Sequence, residues 1–173
     1  GAPLVVDIGC GTGADALFYA RRGSRVIGLD YVTRASARAA ETAYQDSLPV
    51  EFRHLNLCEL RSVLAESARI AREPGPKVVT ARHVIETTDR TGRLHLWRAA
   101  RMMTAGGGRL HLEFLVRRGE GDDFHKKLHL RPMKADAVQR ELEDLGATVL
   151  SRKVRTDDPN GRRICRMVVA WQR

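Results

Sequence analysis

Long apolar runs are missing from this 173-residue chain. No stretch approaches the roughly 18 consecutive apolar residues that a membrane-spanning helix needs, and no secretory leader pattern opens the sequence. Cysteine is scarce. Cys10, Cys58 and Cys165 are odd in number and stand at no metal-ligand spacing, so they read as reduced thiols of a cytoplasmic protein, and no metal site is expected. Aromatic residues make up 5% of the chain, and no strand is studded with them in the manner of an RNA-reading sheet. That speaks against nucleic acid as a partner. Internal repeats and low-complexity tracts are absent as well.

What is present reads as one globular domain over residues 1–173, with a hydrophobic share of 43%. The net charge is +9. Anionic partners would account for that, and so would the Arg-rich composition of a GC-rich genome. One stretch, from Arg117 to Lys134, is denser in charge than the rest.

The most informative string is Leu4-Val5-Val6-Asp7-Ile8-Gly9-Cys10-Gly11-Thr12-Gly13. Leu4 to Ile8 read as a short buried strand. The glycines then permit a sharp turn and a close approach of bare backbone to a ligand, and a helix starts at Thr12 or Gly13. Strand, glycine turn and helix open the cofactor-binding half of a doubly wound sheet. Gly9, Gly11 and Ala14 also satisfy a dinucleotide fingerprint. Asp7 argues against that: an acid at the strand end would repel a pyrophosphate and suits the ammonium of a bound amino acid. A solvated acid beside an ordinary turn is the plain alternative.

A second apolar strand, Arg25 to Asp30, also ends in an acid. Asp30 is placed to accept both ribose hydroxyls of an adenosine, or else to serve as a turn acid. Tyr31 or Val32 can pack on the adenine. A helix is expected over 33–46 with Thr33 as its cap, then a strand over 50–54. Asn56 follows, either as a partner for the adenine edge or as a turn residue; Leu57 adjoins it. A helix over 60–72 and a strand over 77–81 come next. Ala81, Arg82, His83 and Glu86 stand at that strand's carboxyl end, which borders the ligand crevice in a parallel sheet. They are site candidates, or merely surface and helix-start residues. A helix over 91–104 leads to a fifth strand over 109–116. Glu113 inside it needs a partner such as Arg82, because an unpaired buried carboxylate is costly. Residues 117–133 read as a long loop leaving the crevice end of that strand. His125, Lys127, His129 and Arg131 either close on an acceptor molecule or are simply solvated. The chain finishes with a helix over 134–145 and two alternating strands joined through Asn160-Gly161, a strong hairpin signal.

The Asp-x-Gly-x-Gly-x-Gly string from Asp7, the acid at Asp30, the Asn at position 56 and the terminal hairpin together resemble class I S-adenosylmethionine (SAM)-dependent methyltransferases, over nearly the whole chain. The resemblance implies an α/β, Rossmann-like, doubly wound and mostly parallel sheet ending in an antiparallel hairpin. It implies SAM as cofactor and S-adenosylhomocysteine as product. Asp7, Gly9, Cys10, Gly11, Gly13, Asp30, Tyr31, Asn56, Leu57, Ala81 and Arg82 would bind the cofactor. His83, His125 and His129 are candidate bases, and Arg82, Glu86, Glu113, Lys127 and Arg131 candidate acceptor contacts. Methyl transfer to an O or N acceptor is expected. No Asn-Pro-Pro-Tyr follows the fourth strand, which argues against amino-methylation of a nucleic-acid base. Such methyltransferases usually carry a helix before the first strand, so the domain is expected to have been cut from a longer polypeptide. Asn-Leu-Cys-Glu-Leu from Asn56, Ala-Arg-His-Val-Ile from Ala81 and Leu-Glu-Phe from Leu112 look similar to methyltransferase domains attached to bacterial cell-surface glycan or polyol-phosphate transferases. There a His would stand at position 86. Polysaccharide modification on a hydroxylated or anionic acceptor, with a fused transferase domain, would follow. A nicotinamide-dependent oxidoreductase and a non-catalytic basic nucleic-acid module are the competing readings.

Overall fold

The computed structural model describes residues 2–116, 130–156 and 162–172. The strands are Leu4–Ile8 (β1), Val26–Asp30 (β2), Val50–His54 (β3), Lys77–Arg82 (β4), Arg109–Leu115 (β5), Ala147–Arg155 (β6) and Ile164–Trp171 (β7). They form one sheet in the order β3-β2-β1-β4-β5-β7-β6. Neighbours from β3 through β5 pair in parallel. Only β7 is reversed, lying antiparallel to both β5 and β6. The strand order turns back between β1 and β4, so a crevice opens above their carboxyl ends.

The helices are Ala14–Ala20 (α1), Ala37–Gln45 (α2), Leu60–Ala71 (α3), Arg90–Thr104 (α4) and Ala135–Glu143 (α5). Leu4, Val6 and Ile8 of β1 join Val79, Leu110 and Phe114 in a large core, closed by Val63 and Ile70 of α3, Leu96, Trp97 and Met103 of α4, and Val138 and Leu142 of α5. Burying each of the larger of these side chains contributes roughly 1.5–3 kcal/mol. The opposite face carries a smaller cluster. Val5 and Val26 meet Ala16 and Ala20 of α1, with Phe52 and Val78 at its border. The period-2 pattern of each strand thus decides which layer each side chain enters.

Two expectations change. The helix expected over 33–46 is a 3₁₀ turn, Thr33–Ser36, followed by α2. Thr33 does not cap it; its carbonyl accepts the Ser36 hydroxyl at 3.0 Å, a local bond that competes with the α-helical ladder. The cap of α4 is Asp89, whose carboxylate accepts the Gly92 N–H at 2.7 Å. The turn at 157–161 and most of the expected acceptor loop, 117–129, with His125, Lys127 and His129, lie outside the described residues.

Candidate functional site

The glycine turn after β1 is held by backbone bonds. Gly9 and Cys10 N–H donate to the Leu29 carbonyl at 2.7 and 3.1 Å, and Gly13 N–H to the Cys10 carbonyl at 2.8 Å. At Gly9 (φ +73°) a Cβ would strike Val84, and at Gly13 (φ +79°) it would lie 2.6 Å from Ala39 Cβ. No side chain fits at either place. Gly11 (φ +51°) has open space around it, and its N–H donates to Asp30 Oδ2 at 2.8 Å. The other Asp30 oxygen accepts the Val32 N–H at 2.8 Å. The acid at the end of β2 is therefore fixed by the turn it neighbours.

A cavity of about 490 Å³ opens over this point. Gly9, Asp30, Tyr31, Asn56, Leu57 and His83, all candidates from the sequence, are on its lining. Tyr31 is largely exposed at the rim, its ring 5.9 Å from that of His54. The Asn56 side chain is already engaged in its turn: Oδ1 accepts the Cys58 N–H at 2.9 Å and Nδ2 donates to Glu59 at 3.0 Å. Ile8, Leu29, Leu55, Cys58, Val84, Thr87 and Thr88 complete the wall. Sequence reasoning named none of these as a site residue; their only signal was nearness to the carboxyl ends of β1 to β4.

Asp7, Cys10, Gly11, Gly13, Ala81 and Arg82 are not on that lining. Ala81 is a core residue. Burial pushes the Cys10 thiol up to about 12, so it stays protonated and is no nucleophile. Asp7 is 2% exposed. Its Oδ1 accepts the Thr80 hydroxyl at 2.8 Å, across the β1–β4 pair. Its Oδ2 is buried without a partner. Burial raises its carboxyl from 3.8 to about 6, and the Asp15 and Asp30 charges add to this against the Thr80 bond and Arg82.

That shift has a sign for stability. The unfolded acid ionises near 3.8 and the folded one near 6. The folded state therefore loses stability as pH climbs between those values, by up to about 3 kcal/mol, and stays lower above them. Asp7→Asn should raise the melting temperature clearly at pH 8 and hardly at pH 4. Melting curves that respond equally at both pH values would refute this account of Asp7.

At the end of β4 the chain makes an unusual turn. His83 has φ +56°, a left-handed conformation that costs a non-glycine residue roughly 1–2 kcal/mol. Its N–H donates to the Glu113 carbonyl at 2.8 Å, and the turn points its ring into the cavity. Nδ1 lies 2.7 Å from Glu86 Oε1. Glu86, expected to touch an acceptor, is instead fully buried and has no surface to offer one. The same oxygen accepts the Leu115 N–H at 3.1 Å, and Oε2 has no partner. Strain of this kind persists only where the surrounding structure fixes it.

Arg82 and Glu113 do pair, at 3.1 Å. Arg82 also reaches Asp15 of α1, and Arg166 donates to the second Glu113 oxygen at 2.5 Å. Burial favours protonation of Glu113, but the Arg166 bond and Arg82 outweigh it and hold the carboxyl below the usual carboxylate range. Glu113 Oε1 is 3.6 Å from His83 Nε2. Arg131 is exposed; its N–H donates to the Glu86 carbonyl at 2.7 Å. Among the described residues no cluster of His, Cys, Asp and Glu can hold a metal ion.

Comparison with known proteins bears on what this crevice is for. The Methyltransferase domain family matches residues 5–108. That span is more than half of the chain. The chain belongs to this family. A malonyl-[acyl-carrier protein] O-methyltransferase of Hamiltonella defensa is 33% identical, over 41% of this chain and 34% of its own. The chain thus aligns with about a third of that relative's length. Among solved structures, a SAM-dependent methyltransferase from Anabaena variabilis superposes with a TM-score of 0.70 at 21% identity, covering 99% of this chain and 77% of that one. Magnesium protoporphyrin IX methyltransferase of Synechocystis, with bound S-adenosylhomocysteine, gives 0.71 at 17%, covering 99% and 75%. The sheet of this methyltransferase-family chain has the class I form, with seven strands and β7 alone reversed. A [4+2]-cyclase superposes equally well, at 0.75 and 17% identity over 99% of this chain and 75% of that one, so the fold does not by itself name the reaction. No helix among the described residues is long and apolar enough to cross a membrane.

Proposed function

We propose that this chain binds SAM in the cavity over β1, β2 and β4 and transfers its methyl group to an oxygen, or a nitrogen, of an acceptor. The observation that carries the reading is Asp30: a carboxylate fixed at the carboxyl end of β2, beside a glycine turn that admits no side chain, on the wall of the cavity. One lone pair on each of its oxygens is used by Gly11 or Val32 N–H, and the others remain for two ribose hydroxyls. The orphaned Asp7 Oδ2 below the turn suits the pull of a cationic ligand end. The family match favours this over the nicotinamide-dependent reading, and Asp7 does so too.

SAM supplies a methyl group already activated on a positively charged sulfur. The protein's part is to orient the acceptor, exclude water and take a proton. His83 is the base in this reading. A carboxylate can only accept, so the short contact to Glu86 puts a proton on His83 Nδ1 and leaves Nε2 as the acceptor. Bound SAM would supply the methyl group, and His83 Nε2 would take the proton that the acceptor hydroxyl gives up. The imidazolium so formed lies between the Glu86 and Glu113 carboxylates. Glu86 is thus a positioning residue.

The acceptor class we favour is a hydroxylated, anionic small molecule such as a polyol phosphate or glycan, acted on in the cytoplasm. A carboxylate, as the malonyl group of the Hamiltonella relative carries, is the second reading; it needs no base because it is ionised at neutral pH. Calorimetric titration tests the cofactor: SAM and S-adenosylhomocysteine should bind with micromolar affinity, and NAD should give no heat. Tight NAD binding without SAM binding would overturn the proposal.

A further inference from the structure

A second cavity lies on the other side of the sheet's carboxyl edge. Helices α3, α4 and α5 pack on one face of β4, β5, β7 and β6; on the opposite face, beyond α1, no helix covers these strands among the described residues. Strand register lays two rows of side chains across it. Thr80, His111, Val168 and Ser151 stand abreast on the four strands, and Arg82, Glu113, Arg166 and Lys153 stand abreast one pleat further along. They line a cavity of about 320 Å³.

The second row carries the charges plus, minus, plus, plus. Both Glu113 oxygens are taken, one by Arg82 and one by Arg166. Lys153, directly across from Arg166, has no anion among the described residues. Like charges facing each other across an antiparallel pair destabilise it, and among the described residues only Glu113, on the Arg166 side, offsets this one. Among the described residues Arg166 binds Glu113 through Nε alone, and Lys153, its register partner, lines the same cavity. A guanidinium fork and an ammonium side by side form a receptor for phosphate or carboxylate oxygens. Ser151 adds a hydroxyl, while the Thr80 hydroxyl is already donated to Asp7. Burial and then Arg109 hold the His111 imidazole below its usual range, so it adds hydrogen bonds rather than charge.

We propose that this second cavity binds the anionic group, phosphate or carboxylate, of the acceptor, with Arg166 and Lys153 as its anchors. The inference rests on the methyl-transfer reading for the word acceptor, and on the row itself for the word anionic. The link is Glu113, which holds Arg82 and Arg166 in this cavity and lies 3.6 Å from His83 Nε2 in the first. An acceptor anchored here extends over the ends of β4 and β5 toward the base.

The test titrates inorganic phosphate, malonate and glycerol 3-phosphate into the ¹⁵N-labelled chain at constant ionic strength, with and without S-adenosylhomocysteine. Saturable shifts at Ser151, Arg166 and Val168 are expected. They should weaken at least about tenfold in Lys153→Gln, a variant that removes no hydrogen bond or ion pair among the described residues, and further in Lys153→Gln/Arg166→Gln, with SAM affinity unchanged in both. Glycerol 3-phosphate should bind at least about threefold tighter with S-adenosylhomocysteine present, by coupling of the two sites. A preference for malonate over phosphate identifies a carboxylate anchor. Absence of saturable shifts in the wild type, or equal affinity in Lys153→Gln, overturns the anion site. Tight anion binding that S-adenosylhomocysteine leaves unchanged overturns its assignment to the acceptor. A wild-type chain that binds anions but not SAM overturns the methyl-transfer reading and leaves the anion site standing.

Discussion

His83→Ala is expected to lower methyl transfer to a hydroxyl acceptor by roughly 10²–10⁴-fold, the usual span for loss of a positioned base, with SAM affinity nearly unchanged. Among the described residues nothing else on the cavity wall combines a nitrogen base with a fixed orientation: the left-handed turn at φ +56° aims the ring, and Glu86 at 2.7 Å holds its tautomer. Glu86→Gln should cost less: an amide oxygen in the place of Oε1 still faces both Nδ1 and the Leu115 N–H, so the tautomer is kept and only the negative charge beside the imidazolium is lost. A merely structural Glu86 would lower stability without this loss of turnover at unchanged SAM affinity. Single-turnover transfer of a labelled methyl group is the measurement. A carboxylate acceptor should proceed in both variants at near the wild-type rate, because it brings no proton. Full activity of His83→Ala on a hydroxyl would remove the base from the mechanism.

Loss of the cofactor is the second large effect. Asp30→Ala should weaken SAM binding by at least about tenfold and by as much as roughly 10⁴-fold, from two charge-assisted hydrogen bonds of roughly 1.5–3 kcal/mol each. Asp30 acts twice, since it also accepts the Gly11 and Val32 N–H groups at 2.8 Å; without it the glycine turn loses its hold. Asp30→Asn separates the two roles. Its single carbonyl oxygen still secures Gly11, so affinity should fall by an intermediate factor while the melting temperature stays near the wild type's. Calorimetry in which Asp30→Ala binds SAM as tightly as the wild type would refute the assignment of this cavity.

Much of this protein is written in short stretches of its sequence, because short-range physics decides them. The apolar runs of β1 and β2 can only be buried strands. Gly9 and Gly13 stand where φ is positive and a Cβ would collide, and the alternating strands β6 and β7 could pair only as a terminal hairpin. Those features were enough for the α/β order, the glycine turn and the Asp30 position. The limits of local reading are equally physical. The break between Thr33–Ser36 and α2 turns on one Ser36 hydroxyl bond, too small a preference for periodicity to register. Asn56 stands where an adenine contact and a turn have the same sequence signature, and only the tertiary structure shows its side chain bonded to Cys58 and Glu59. Glu86 reads as a polar residue near a strand end, yet it is fully buried, with His83 Nδ1 and the Leu115 N–H on one of its oxygens. Asp7 meets Thr80 from 73 residues away, and Arg82, Glu113, Arg166 and Lys153 become a row only when four strands fall into register. Charge and burial at these residues are properties of that register. The tertiary structure decided them because a strand's own sequence says which faces its side chains take, and never whose side chains stand beside them.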